Sequence, residues 1–178
     1  LLPQTPLSVV LLVGAGLFLR SLHQLRSIDL GMQPDRVVVV SAEYANVGWK
    51  SPEINAFAER AAQRLRAVPG VEGVAFAESV PFYSLGGGSL RIPGRDSLVA
   101  ALSSTPRKSV VSPEFFEVMG MRVVQGRGIT AGDVKGAPLV AVINETMKAQ
   151  LWPDGSAMGD CFFIGSAPQC FTVVGVVH

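Results

Sequence analysis

The chain is poor in the side chains that carry chemistry. Its 178 residues include two histidines, two cysteines and 16% charged residues, against roughly 25% charged in typical soluble domains. His23 borders an apolar run and His178 is the last residue, so neither meets Cys or Asp at ligand spacing and no metal site is expected. A net charge of +1 lacks the basic excess of a nucleic-acid binder. There is no long run of one charge sign and no internal repeat. Gly86, Gly87 and Gly88 lead into Ser89, Leu90 and Arg91 without the Gly-Lys pair that a phosphate-cradling loop needs, and Arg91 stands where a serine-hydrolase elbow needs glycine. The glycine triplet reads as a flexible turn. Glu114 and Glu117, at i and i+3, read as a solvated helix face and not as an acid–base pair. Arg127 between Gly126 and Gly128 reads as a plain turn. Asn144-Glu145-Thr146 matches a glycosylation sequon, a match common by chance. No catalytic, cofactor-binding or metal-ligating set emerges, so the chain is read as non-enzymatic.

What is present is a greasy start. Residues 1–19 carry no charge, and from Leu7 to Leu19 only Ser8 is polar. As a helix the whole run covers about 28 Å, close to the roughly 20 apolar residues that cross a bilayer. Pro3 and Pro6 weaken its front, and the chain begins without Met, so the leading expectation is a membrane helix cut at its front. A secretory signal core is the second reading, although no clear small-x-small cleavage site follows. A buried core helix is the third. The first two place the following domain outside the cytoplasm. Arg20, His23 and Arg26 follow at spacings of three and carry the helix to about Ile28. Taken alone they pull that end toward the cytoplasm, a conflict that this chain's few loops leave open. The expected division is a transmembrane helix with its membrane-exit extension over 1–28 and a folded domain over 29–178. The mean hydropathy of +0.37 reflects that run and the apolar strands that follow it.

Beyond Pro34 the pattern alternates between short strands and helices. Residues 36–43, RVVVVSAE, read as a central strand. Ser51-Pro52-Glu53 reads as a helix start, with Ile54, Phe57, Ala58, Ala61, Leu65 and Val68 on one apolar stripe and Pro69-Gly70 as its stop. Residues 71–80 alternate as a second strand, completing strand, helix, strand. A loop follows over 81–88, then a strand over 89–92, a weakly patterned stretch over 96–105 and a strand over 108–111. Ser112-Pro113-Glu114 repeats the cap, Pro, acid start for a short helix closed by Gly120. In that helix Phe115, Phe116, Met119 and Met121 read as core. Further strands are expected over 122–125 and 138–143, the second leading into a helix capped by Asn144 and ended by Trp152-Pro153. Thr130 to Asp133 reads as a turn. Final strands lie over 161–164 and 171–177.

Cys161 and Cys170 are symmetric about Gly165-Ser166. A two-residue type II′ hairpin there would place them directly opposite each other, within disulfide reach. The bridge would stabilise by about 2.7 kcal/mol on the chain-entropy model and would agree with an oxidising compartment. Two free thiols are the alternative.

Taken together, several stretches resemble the extracytoplasmic core domain of MacB/FtsX-type ABC-transporter permeases. They are residues 11–20 (LLVGAGLFLR) with Ser21-Leu22, 69–74 (PGVEGV), 111–120 (VSPEFFEVMG), Gly126-Arg127, 136–147 (GAPLVAVINETM), Trp152-Pro153 and 172–177 (TVVGVV). The resemblance runs in order through nearly the whole chain. It departs at Gly128-Ile129, where an acid and Phe are usual, at Met158, where Ile is expected, and in residues 1–6. It implies an α+β fold in which a transmembrane helix leads into a mixed extracytoplasmic domain with β-α-β units, in the bacterial inner membrane with the main domain in the periplasm. It implies as partners the membrane, an ABC ATPase subunit or domain that uses the ATP, the remaining permease helices, a periplasmic adaptor and a second subunit in the full assembly, with no cofactor in this chain. The role implied is coupling of ATPase-driven helix motion to the periplasm, for export or mechanotransmission. The rival role is a membrane-tethered ligand-binding or sensor domain, with a pocket near 81–88 or 96–105.

Overall fold

The computed structural model describes residues 4–26, 31–44, 47–80, 86–102, 105–134 and 136–178. It divides into two compact units, Leu1–Leu30 and Gly31–His178. The first is the helix α1, Gln4–Arg26. Pro6 falls in its first turn, where a missing N–H breaks no intrahelical bond. Residues 27 and 28, the expected end of the helix, lie outside the described residues. The span Pro6–Leu25 is long and apolar enough to cross a membrane, and none of it is buried.

In the second unit the N-terminal third departs most from expectation. Residues 36–43 are not a central strand. A 3-10 turn at Pro34–Arg36 gives way to extended backbone at Val37 (φ −112°, ψ 128°), and no ladder forms there among the described residues. β-Branched side chains favour extended backbone, but a strand also needs a neighbour to bond, and no described strand runs alongside. The turn is held instead by Arg36, whose Nη2 donates to both carboxylate oxygens of Glu72 at 2.8 Å.

Helix α2, Ser51–Arg66, forms as expected, but Lys50 and not Ser51 precedes it as cap. The Glu53 carboxylate accepts the Lys50 backbone N–H at 2.9 Å, so one orphan donor is met from inside the first turn. The predicted apolar stripe is only half covered. Ala62 is buried, whereas Phe57, Leu65 and Val68 are exposed: α2 rests on its alanine edge and turns its bulky edge outward. The second expected strand is reduced to one bridge, Ala77 to Val111, flanked by Glu78 N–H to Val110 O at 2.8 Å and Ser112 N–H to Phe76 O at 2.9 Å. The strand–helix–strand unit expected over 36–80 therefore does not close into a sheet of its own.

The β-α-β connection lies near the C-terminus. Strands β1 (Gly86–Gly87), β2 (Leu90–Arg91), helix α3 (Asp96–Ala100), strand β3 (Arg107–Lys108), helix α4 (Phe115–Val118) and strand β4 (Val123–Gly126) precede it. Then come β5 (Val140–Asn144), helix α5 (Glu145–Leu151), β6 (Cys161–Ile164) and β7 (Phe171–Val177). β7 is the centre. It pairs in parallel with β5 from Val140–Thr172 to Asn144–Val177, antiparallel with β6 at its start and antiparallel with β4 at its end. β2 extends the sheet beyond β6, with Leu90 opposite Ile164. The glycine triplet is not a free turn: Gly86 and Gly87 ladder with Lys108 and Arg107.

The core sits between this sheet, α3 and α5. Leu151, Trp152, Phe162, Val173 and Val176 are its most buried large side chains. Asn144 caps α5 by accepting the Met147 N–H at 2.9 Å. Trp152 ends the helix and its indole N–H donates to Asp160 Oδ2 at 2.6 Å, so a bulky ring is buried without an orphan donor. Within the weakly patterned stretch, Leu98, Val99 and Leu102 pack on the core, and the Arg95 guanidinium before it donates to Leu151 O at 3.0 Å.

Gly175 is required by a close approach. A side chain there would overlap the carbonyl of Arg127, where β4 hands over to the next turn and Arg127 N–H donates to Val174 O at 2.9 Å. Gly126, at φ +68°, occupies the left-handed region that turns the chain out of β4.

Candidate functional site

Three features stand out as functional candidates: the apolar helix α1, a polar turn after β4 beside a cleft, and the cysteine hairpin.

Arg127 is not a bare exposed guanidinium. Its Nη1 and Nη2 donate to Asp133 Oδ2 and Oδ1 at 2.7 and 2.9 Å, a two-pronged pair. Asp133 Oδ2 also accepts from the Thr130 backbone N–H at 2.7 Å and from its hydroxyl at 2.9 Å. The guanidinium first, and then the Thr130 N–H, hold the Asp133 carboxyl well below the usual carboxylate range; the same pairing raises Arg127. Thr130 to Asp133 thus forms the expected turn, with an acid that locks it. The Thr-x-x-Asp spacing was the available signal; that its acid would be shared with Arg127 depends on the path of the chain between them.

Beside this turn lies a cleft of about 510 Å³. One wall is α2 with Glu59, Ala62 and Arg66; the others are Phe76, Val111 to Glu114, and Ile129 to Val134. Apolar Ala62, Phe76, Val111 and Ile129 and charged Glu59, Arg66, Glu114 and Asp133 line it together. The Glu114 carboxylate is held below its ordinary range first by its own backbone N–H, then by the Ser112 hydroxyl, with Arg66 adding attraction. In the expected pocket region 96–105, Leu98, Val99 and Leu102 pack against the core, and residues 103–104 lie outside the described residues. Of the other expected location, residues 81–85 lie outside the described residues.

Glu114 and Glu117 do not converge on a reactive centre: Glu114 lines the cleft, and Glu117 lies in the exposed first turn of α4. Phe115 and Met119 are buried, as expected of core residues. His178 Nδ1 lies 2.6 Å from Glu145 Oε2. Among the described residues no group of three His, Cys, Asp or Glu side chains is placed to hold a metal ion.

The hairpin register differs from the symmetric one. Cys161 stands opposite Thr172 and Phe162 opposite Phe171. The connection from Ile164 to Phe171 is therefore six residues, not a two-residue turn. Pro168 within it and a bond from Gly165 N–H to Ser89 O at 2.8 Å draw the chain into a wider loop. The cysteines become diagonal neighbours, with Cα atoms 5.6 Å apart, still inside the span that a disulfide bridges.

A membrane-length helix followed in sequence by an α+β unit with its core at one central strand defines a class: an α+β domain led by an apolar helix. The particular family follows from comparison. The chain belongs to the family of MacB-like periplasmic core domains, whose model matches residues 7–178. It is 34% identical over 78 residues to the macrolide export ATP-binding/permease protein MacB 1/2 of Paracoccus denitrificans, a match covering 44% of this chain and 11% of that protein. It is 33% identical over 73 residues to the ABC transporter permease YvrN of Bacillus subtilis, covering 41% and 17%. These matches thus take in only a small part of the length of both relatives. Among solved structures, the periplasmic region of MacB from Actinobacillus actinomycetemcomitans aligns with 20% identity and a TM-score of 0.47, covering 67% of this chain and 49% of that one. The extracellular domain of the ABC-type transporter YknZ aligns with 19% identity and a TM-score of 0.47, covering 72% and 63%.

Proposed function

We propose that the chain is the extracytoplasmic core domain of an ABC-transporter permease subunit and that it relays motion without making or breaking bonds. Helix α1 anchors it in the bacterial inner membrane, and unit Gly31–His178 lies in the periplasm. A separate ATPase domain uses ATP on the cytoplasmic side, further permease helices complete the membrane part, and the assembly is a dimer that engages a periplasmic adaptor. The observation that carries this reading is that one family match runs from inside the apolar helix to the end of the folded unit, residues 7–178. Helix and domain belong to one design, as a relay requires. The sheet supports it mechanically: β7 bonds three other strands, so a displacement of one is felt by all.

The cysteines fit the same compartment. We propose that Cys161 and Cys170 form a disulfide that ties the β6–β7 loop, as an oxidising periplasm allows.

The test is a distance measurement in the full-length protein with its ATPase, reconstituted in lipid nanodiscs, with spin labels at Gln169 and Asp154. ATP with vanadate should shift the distance distribution between the two subunits' labels. An unchanged distribution would contradict the relay. The rival, ligand-binding reading rests on the cleft of about 510 Å³, a size in the usual range for small-molecule sites. It predicts a ligand-dependent rise in melting temperature that Phe76→Ala removes.

A further inference from the structure

The first residues of the folded unit, Gly31 to Arg36, are tied to three separate places in it. Gly31 lies against the end of β7: a side chain there would come within 2.7 Å of the His178 carbonyl oxygen. The Gln33 N–H donates to Met119 O at 2.9 Å, at the C-cap of α4. The Gln33 side chain fills the hollow at Gly120, where its Cβ, Cγ and Cδ stand 3.0–3.2 Å from the place a Gly120 side chain would take. Arg36 then reaches Glu72, but that pair is exposed on both sides and adds little. The hold therefore lies at Gly31 and Gln33. Just past Arg36 it ends: Val38 and Val40 are 88% and 79% exposed.

The held segment is stiff. Pro34 fixes its own φ and narrows the range open to Gln33 before it. Pro34–Arg36 closes a 3-10 turn, with the Val37 N–H on Pro34 O at 3.1 Å. What it is held against is the middle of the unit. Phe115 and Met119, at the two ends of α4, are buried. β4 follows at Val123 and pairs with β7 at Val123–Val177, and the His178 N–H donates to Arg122 O at 3.1 Å. The C-cap of α4, the start of β4 and the end of β7 thus form one joint.

Resting on the relay reading, we propose that Gly31 to Arg36 is a clasp through which displacement of α1 enters the folded unit, at the joint of α4, β4 and β7, with Gln33 as its positioning residue. Gln33 acts twice there: its N–H bonds the Met119 carbonyl, and its stem fills the hollow at Gly120. A flexible entry would absorb a displacement in its own torsions, whereas a stiff segment held at two points passes it on. The route so defined is short. Motion reaches β7, which bonds three other strands, without first travelling along residues 37–50 to α2.

The position of a flexible insert tests this, in the full-length protein with its ATPase in lipid nanodiscs, labelled as above. The readout is the shift in label distance on adding ATP with vanadate, with β7 amide exchange as the control for folding. Gly-Ser-Gly inserted between Leu30 and Gly31 lies ahead of the clasp and should abolish the shift. The same insert between Arg36 and Val37 lies behind it and should leave the shift as in the parent. Loss with both inserts would route the motion through residues 37–50 and overturn the proposal, and a shift that survives the first insert would overturn it as well. A parent with no shift removes the relay reading itself, and the clasp with it. If the second insert also unprotects β7, Gln33→Gly decides. It deletes the stem and should lose more than half of the shift while β7 stays protected and ATP is still hydrolysed, whereas Gln33→Met, which keeps the stem, should retain the shift. Equal shifts in these two variants would overturn the proposal.

Discussion

Asp133 shows how one carboxylate organises a turn. It accepts from Arg127 and twice from Thr130. Its carboxyl is held below the ordinary value of about 3.9, so folding binds it in the charged form. The sign follows from linkage: the stabilisation is complete above the unfolded-state value and is lost as pH falls through the folded-state value. Asp133→Asn should therefore lower the melting temperature at pH 7, and the gap from the parent should shrink steadily below about pH 4. A gap that stays constant to pH 2 would remove the charge from the explanation. In the core, Leu151→Ala empties a site that no solvent reaches; urea melts followed by tryptophan fluorescence should show a loss of about 2–5 kcal/mol. Residue-level reading of the sequence succeeded where the signal was local. Asn144 caps its helix as its position implies. It failed at Ser51 and Ser112, where the same cap, Pro, acid spelling is present. Ser112 Oγ instead accepts the Phe76 N–H at 3.0 Å, a tertiary partner that local spelling does not reveal.

At the scale of elements, α1 carries the claim of membrane anchorage. A charge at its centre should cost about 2.5–3.5 kcal/mol of insertion, so Leu12→Arg should move much of the chain from the carbonate-resistant membrane fraction to the soluble one, while Leu12→Ile should not. The hairpin carries the claim of an oxidising compartment. Thiol labelling of the native, unreduced protein should fail at Cys161 and Cys170, and reduction should cost about 2–3 kcal/mol of stability; rapid labelling of both would remove the bridge. The final strands were legible to the residue, because apolar runs bounded by Gly, Pro and Cys leave little freedom over where a strand begins. Their register was not, since loop length decides it and the six-residue connection is set by the contact of Gly165 with Ser89. Residues 36–43 show the opposite failure: their β-branched side chains favour a strand, but no described strand runs alongside to bond them.

For the whole molecule, the α+β class was legible from the alternation of elements, and the family from motifs spread in order along the chain. The cleft was not, because its walls come from residues 59–66, 76, 111–114 and 129–134, and no spacing rule joins four separated stretches. The account as a whole depends on which side of the membrane the folded unit occupies. The direct measurement is proteolysis of intact spheroplasts carrying the protein with a tag after His178. The account predicts that external protease removes the tag and the folded unit while a cytoplasmic marker survives. A tag that resists until the spheroplasts are lysed would place the domain inside the cell and contradict the account.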